Sequence, residues 1–210
     1  METIKTLKPD LIIAGGRLSS SYNELSKIAP TIYPNNDYHD PMGALQKDLE
    51  ILGKLFNQEE FYQKEYQKLE NKIERLQSKI SKSDEKALVL LHNKGNFSAF
   101  GKGSRFGLAF GLLDVKEAAP ELETGQRGFR ATPEFIEEVN PDIIYIIDRS
   151  AAIGDTPLTM DELTDSKIRH TNAYKNGKIV FLDSKVWYLS GTGGLTSINK
   201  MIDEIASAMD

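Results

Sequence analysis

From Gln58 to Lys82 the chain runs without a Gly or a Pro, and Tyr62, Tyr66, Leu69, Ile73, Leu76 and Ile80 fall at alternating steps of four and three. That spacing puts them on one narrow stripe of a helix about 37 Å long, at a rise of about 1.5 Å per residue. A coiled-coil strand is the plainer alternative. Because α/β patterning flanks the run on both sides, we take it as a connector between two lobes. The expected division is 1–57 for the remainder of an N-terminal α/β lobe, 58–82 for the connecting helix and 83–210 for a fuller C-terminal lobe.

The flanking elements are short. Leu11-Ile12-Ile13-Ala14, closed by Gly15-Gly16, reads as a central parallel strand entering a turn. Residues 20–29 read as a helix stopped by Pro30, residues 31–33 as a strand, and Pro41 to Phe56 as an amphipathic helix. Beyond the long helix, strands are expected over 87–92 and 96–100 around Lys94-Gly95, then a helix over 104–113 and another over 133–139. Strands follow at 142–147 and 179–182. The last helix, 195–209, keeps Leu195, Ile198, Ile202, Ile205 and Met209 on one face.

The net charge of -5 opposes a phosphate backbone, so nucleic acid is not an expected partner. The absence of cysteine excludes disulfides, thiolate metal sites and thiol catalysis. The first residues show no basic and apolar regions of a secretory signal, and no apolar run reaches membrane-spanning length, so a soluble chain is expected. The three histidines, His39, His92 and His170, have no ligand spacing, and no nucleophile, base and acid stand in a recognisable order. These features favour a binding protein over an enzyme.

One segment occurs twice. Lys8-Pro9-Asp10 leads into an apolar strand with Arg17 eight residues after the Pro; Asn140-Pro141-Asp142 does the same and reaches Arg149. Each Arg falls beyond the carboxyl end of its strand, the edge where open parallel sheets bind ligands. The plainer alternative is common α/β grammar with two surface arginines. Only seven of the 26 basic residues are Arg, and five of these, Arg17, Arg105, Arg127, Arg130 and Arg149, fall in expected loops or element ends. A planar, permanently charged donor chosen over Lys in such places suits forked recognition of an anion.

Two further motifs stand out. Gly101-Lys102-Gly103-Ser104-Arg105-Phe106 reads as a turn into a helix capped by Ser104, whose backbone donors would favour an anion, although it lacks a phosphate loop's spacing. Trp187-Tyr188-Leu189 precedes the loop Gly191-Thr192-Gly193-Gly194. Trp187 reads as a core plug, and Tyr188 as the better ligand candidate, since a phenolate is a hard oxygen donor for a hard cation.

Taken together, the repeat, the long helix, Ser-Arg-Phe and Trp-Tyr-Leu resemble the siderophore-binding proteins of ABC importers along essentially the whole chain. The resemblance is to the class III periplasmic or lipoprotein binding proteins, in the branch for catecholate siderophores of the enterobactin and petrobactin kind. It implies two α/β lobes with mostly parallel sheets, joined by one rigid helix, with the first lobe incomplete in an N-terminally truncated chain. It further implies a non-enzymatic protein without a cofactor. Such a protein binds a ferric siderophore between the lobes and delivers it to an ABC permease outside the cytoplasm, meeting the membrane through a lipid anchor that this chain lacks.

The resemblance matches Arg17, Arg105 and Arg149 to a basic triad, and Tyr188 to a tyrosine able to ligate iron(III) directly. Where many relatives carry Thr-His-Gly, this chain has Gln126-Arg127-Gly128. An arginine has no lone pair for a metal. Arg127 therefore points to a further positive contact with a siderophore that already fills the iron's coordination shell. A tris-catecholate ferric complex is a trianion with aromatic faces, which guanidinium groups meet by charge, forked hydrogen bonds and stacking. Competing readings are the same fold carrying haem or a corrinoid, and a two-lobed enzyme such as a glycosyltransferase.

Overall fold

The structure is a computed structural model. It describes residues 1–34, 37–122, 127–164 and 166–209, apart from the side chain of Arg17. The chain divides into two compact units, residues 1–37 with 41–63 and residues 38–40 with 64–210. The long helix spans Glu59–Ile80, so this division falls inside it; Leu69, Ile73 and Ile80 of its apolar stripe are buried.

In the first unit, strands β1 (Ile12–Ile13) and β2 (Thr31–Ile32) pair in parallel. Leu25, Ala29, Ala44, Leu45 and Leu49 are buried there, the last three on the helix Pro41–Phe56. Two expectations are corrected. The apolar run 11–14 is not a buried central strand: only two residues pair, and Ile13 is 55% exposed. The helix expected over 20–29 is a 3-10 turn, Gly16–Ser21, running into the four-residue helix Tyr22–Leu25. A first helix, Glu2–Leu7, was not expected; an i,i+3 pair between Lys5 and Glu2 supports it.

The second unit holds a sheet of β3 (Lys86–Asn93), β4 (Asn96–Phe100), β5 (Lys116–Glu117), β6 (Phe129–Ala131), β7 (Ile143–Asp148) and β8 (Ile179–Phe181). Its order is β6-β4-β3-β7-β8, with β5 also on β3. Three pairings, β3–β5, β3–β7 and β7–β8, are parallel, as expected. β3–β4 and β4–β6 are antiparallel. The short strands β5 and β6 escaped the sequence reading because neither carries an apolar run. β7 is buried at all six residues, and the Tyr145 hydroxyl donates to the Ile205 carbonyl at 3.0 Å, which ties the sheet to the last helix, Leu195–Ser207. On that helix Ile198, Met201, Ile202 and Ile205 form the buried stripe.

The sequence repeat has a backbone counterpart. Lys8 (φ 47, ψ 56) and Asn140 (φ 46, ψ 60) each end a helix in the left-handed conformation, each immediately before a Pro. The cap turns the chain, and the Pro prevents the helix from resuming, so a strand follows in both. Arg17 and Arg149 then stand in the first turn of Gly16–Ser21 and of the helix Arg149–Ala152.

Candidate functional site

The site is built on the antiparallel wing of the second unit. Lys94 (φ 51) and Gly95 (φ 77) both take positive φ, which makes the two-residue mirror-image turn that fits the twist of a hairpin. The turn fixes the register: Asn93 opposes Asn96, Leu91 opposes Ser98, and Val89 opposes Phe100. Because side chains alternate with period two, Leu91, Asn93, Asn96, Ser98 and Phe100 share one face. They line a cavity of about 280 Å³ together with Arg105, Phe106, Arg127, Arg149 and Tyr188.

Arg149 comes from the neighbouring parallel strand. His92 is the partner of Asp148 in the β3–β7 register, so the next residues, Asn93 and Arg149, emerge side by side. Arg149 Nη1 donates to Asn93 Oδ1 at 3.0 Å and Nε donates to the Tyr188 hydroxyl oxygen at 2.8 Å. Below them His92 Nδ1 is 2.8 Å from Asp148 Oδ1 in a buried pair, while His92 Nε2 accepts from the Gly95 N–H at 2.9 Å. With Nε2 accepting, Nδ1 is the nitrogen that donates to the carboxylate. Asp148 also accepts from the backbone of Ser150 and Leu158. Burial pushes its carboxyl upward, but the hydrogen bonds from His92 and from backbone N–H groups outweigh burial and hold it below its ordinary value.

Arg105 reaches the cavity along a path that differs from the expected one. No helix starts at Ser104, so the expected helix-start donors are not there. The helix is only Leu108–Gly111, preceded by Gly107, and the Ser104 hydroxyl donates to the Gly101 carbonyl at 2.6 Å instead of capping. The tight turn buries Phe106 edge-on against Phe100, with ring centroids 4.8 Å apart, and leaves Arg105 outward. Its guanidinium carbon lies 4.8 Å from the centroids of both Phe106 and Tyr188, and Nη2 donates to the Tyr188 carbonyl at 2.6 Å.

Tyr188 sits on a wide turn, Val186–Ser190, in which the Gly191 N–H bonds to the Val186 carbonyl at 2.7 Å. Its neighbour Trp187 is buried and donates from Nε1 to Glu204 Oε2 at 2.7 Å, which answers the expectation of a core plug. Glu204 also accepts from the Asp183 N–H, and Asp183 pairs with Lys200. The last helix therefore holds the stretch that leads into Tyr188, at Asp183 and at Trp187.

Arg127 follows the undescribed residues 123–126, so Gln126 lies outside the described residues. Arg127 is exposed and lines the cavity. Gly128 (φ 74) allows it, since a Cβ there would come within 2.7 Å of the Phe100 ring and 2.8 Å of the Ala99 carbonyl. The structure thus brings Arg105, Arg127, Arg149 and Tyr188 to one cavity. Arg17, the fifth candidate, belongs to the first unit, and its side chain lies outside the described residues. Asn93, Asn96 and Ser98 were not singled out from the sequence; their period-two spacing around Lys94-Gly95 is the signal that finds them.

Three features of the cavity set its chemistry. Among the described residues, none of Arg105, Arg127 and Arg149 forms an ion pair with a carboxylate, and none of those that line the cavity is a carboxylate. Phe100, Phe106 and Tyr188 supply aromatic surface. No group of three or more His, Cys, Asp and Glu side chains able to hold a metal occurs among the described residues.

A sequence family described as periplasmic binding protein matches residues 1–186. The chain belongs to the periplasmic binding protein family. Among curated members, the ferric-anguibactin-binding protein FatB of Vibrio anguillarum is 38% identical over 98% of this chain and 65% of its own length. The petrobactin-binding protein YclQ of Bacillus subtilis is 37% identical over 100% of this chain and 66% of its own. This periplasmic binding protein chain therefore spans just under two thirds of those relatives. The crystal structure of YclQ superposes with a TM-score of 0.95, covering 100% of this chain and 73% of that one. The siderophore-binding protein BauB, solved with two molecules of acinetobactin and ferric iron, gives 0.89 at 33% identity, covering 100% and 74%. These matches bear out the α/β class III fold and the resemblance to siderophore-binding proteins. No described helix is long and apolar enough to cross a membrane.

Proposed function

We propose that the second unit binds an anionic ferric siderophore in the Arg105–Arg127–Arg149 cavity and that the protein hands it to an ABC permease outside the cytoplasm, without catalysing a reaction. The observation that carries this reading is three guanidinium groups without carboxylate partners beside three aromatic rings. A tris-catecholate ferric complex offers three negative charges and aromatic faces in one ligand, so it satisfies both parts of the lining. The names of relatives above 30% identity, for ferric anguibactin, petrobactin and a complex of acinetobactin with ferric iron, support the same ligand class. A nucleotide-sugar enzyme would need a carboxylate in the cavity to act as acid or base, and the described lining residues include none.

Within this reading Arg149 and Arg105 contact the complex through the donors not spent on Asn93 and Tyr188, and Arg127 adds charge at the rim. Tyr188 already accepts from Arg149, and the described lining residues include no second phenolate beside it, and no carboxylate or imidazole, that would complete an iron shell with it. Recognition is then of a coordinatively complete complex. Arg17 enters only through the sequence repeat, and Arg17→Ala tests it separately.

Titration with ferric catecholate siderophores, followed by Trp187 fluorescence, tests the function; failure of every catecholate complex to quench overturns it. The visible charge-transfer band of the bound complex is expected to match that of the free one. A new phenolate–iron band that disappears in Tyr188→Phe would instead assign Tyr188 as an iron ligand.

A further inference from the structure

One guanidinium on the same face has no place in this account. Arg130, on β6, directly opposes Ser98 of β4 in the antiparallel register. Opposed residues in such a pair project from the same face with Cβ atoms about 5 Å apart, so Arg130 stands beside the Asn96–Ser98–Phe100 row that lines the cavity. It is exposed and, like Arg105, Arg127 and Arg149, forms no ion pair among the described residues. The three cavity arginines already match a trianion; a fourth, in a chain of net charge -5, exceeds it. The position is also chemically distinct. The Phe106 and Tyr188 rings flank the Arg105 guanidinium, with Phe100 packed on Phe106, whereas the β4–β6 register sets Arg130 opposite the hydroxyl-bearing Ser98, with Asn96 and Phe100 as its diagonal neighbours.

We propose that Arg130 is a further ligand-contacting residue, which reads a carboxylate carried by the ferric complex outside its iron-chelating rings. This rests on the ferric-complex reading above. It makes the site selective for complexes that combine an aromatic chelate core with a peripheral anion.

The test uses two probes with the same iron-chelating group, the ferric complexes of catechol and of 3,4-dihydroxybenzoate, formed in mildly alkaline solution with excess chelator. The second differs by a carboxylate on each ring, remote from the chelating oxygens. The unaltered chain is expected to prefer the carboxylate-bearing complex, and Arg130→Gln to reduce that preference about two- to fivefold, the range of an exposed ion pair. Arg130→Lys is expected to keep part of it. Arg169→Gln, which removes an exposed arginine from the short turn Lys167–His170, is expected to leave it unchanged. An equal preference in Arg130→Gln and the unaltered chain, or an equal loss in Arg169→Gln, overturns the assignment of Arg130 while leaving the cavity intact. Absence of binding to either complex by the unaltered chain overturns the ferric-complex reading itself, and Arg130's role with it. An unchanged melting temperature in Arg130→Lys separates loss of contact from loss of fold.

Discussion

His92 and Asp148, 56 residues apart in sequence, share a buried 2.8 Å hydrogen bond across the β3–β7 rung immediately below the pair Asn93 and Arg149. Both members are satisfied on every side, His92 by Gly95 and Asp148 by Ser150 and Leu158. The bond thereby fixes the ends of two strands whose next residues form the cavity wall. Replacing His92 by Leu leaves a buried carboxylate short of one donor and is expected to cost about 2–4 kcal/mol in denaturant unfolding. His92→Asn, which retains a donor toward Asp148, is expected to recover part of that and to bind ferric complexes better than His92→Leu.

Acid sensitivity follows from the same carboxylate. Asp148 in the folded protein is held below its ordinary value, so the unfolded chain takes up the proton first as pH falls. Its contribution to stability is complete above the ordinary aspartate value of 3.8 and is lost as pH drops from there through the folded-state value. Asp183, lowered chiefly by its hydrogen bond from Lys200, acts in the same direction. Unfolding free energy measured against pH should fall across that acid window, and Asp148→Asn should show a shallower fall from a lower starting stability.

Gly128→Ala tests how Arg127 is placed. The substitution imposes a positive φ on a residue with a Cβ and drives that atom to 2.7 Å from the Phe100 ring. A loss of at least about 1 kcal/mol is expected from backbone strain alone. Binding should weaken beyond what Arg127→Ala produces, because Phe100 moves as well.

Glu204→Leu removes the acceptor for the Trp187 indole N–H and for the Asp183 N–H. Two buried or half-buried donors lose their partner, and a destabilisation of about 1–3 kcal/mol is expected. Since Trp187 directly precedes Tyr188, a changed Trp187 emission should accompany weaker ferric-complex binding; Glu204→Gln, which keeps an acceptor, should retain most of both.

The elements with strong local signals were legible. Pro41–Phe56, Asn96–Phe100 and Pro133–Val139 lie where their periodicity, turn residues and Pro at the helix start put them, and the long helix runs Glu59–Ile80 against an expected 58–82. The errors fall where short-range signals compete with packing. Ser104 carries a cap residue's chemistry but spends its hydroxyl on Gly101, because the turn must bury Phe106 against Phe100. β5 and β6 have too few apolar residues to be seen, and exist because β3 and β4 offer them backbone partners.

By itself the sequence determined the α/β pattern, the long helix, the repeated Pro-Asp-strand segment and which arginines stand at element ends, since each depends on residues close together in the chain. The resemblance already grouped Arg105, Arg127, Arg149 and Tyr188; tertiary structure alone decided which cavity they line, that Asn93 and Tyr188 hold Arg149, and that Arg130 stands across from Ser98. Those relations come from strand register and from the packing of the last helix on β7. Register is set by long-range backbone pairing, and no short window of sequence contains both partners.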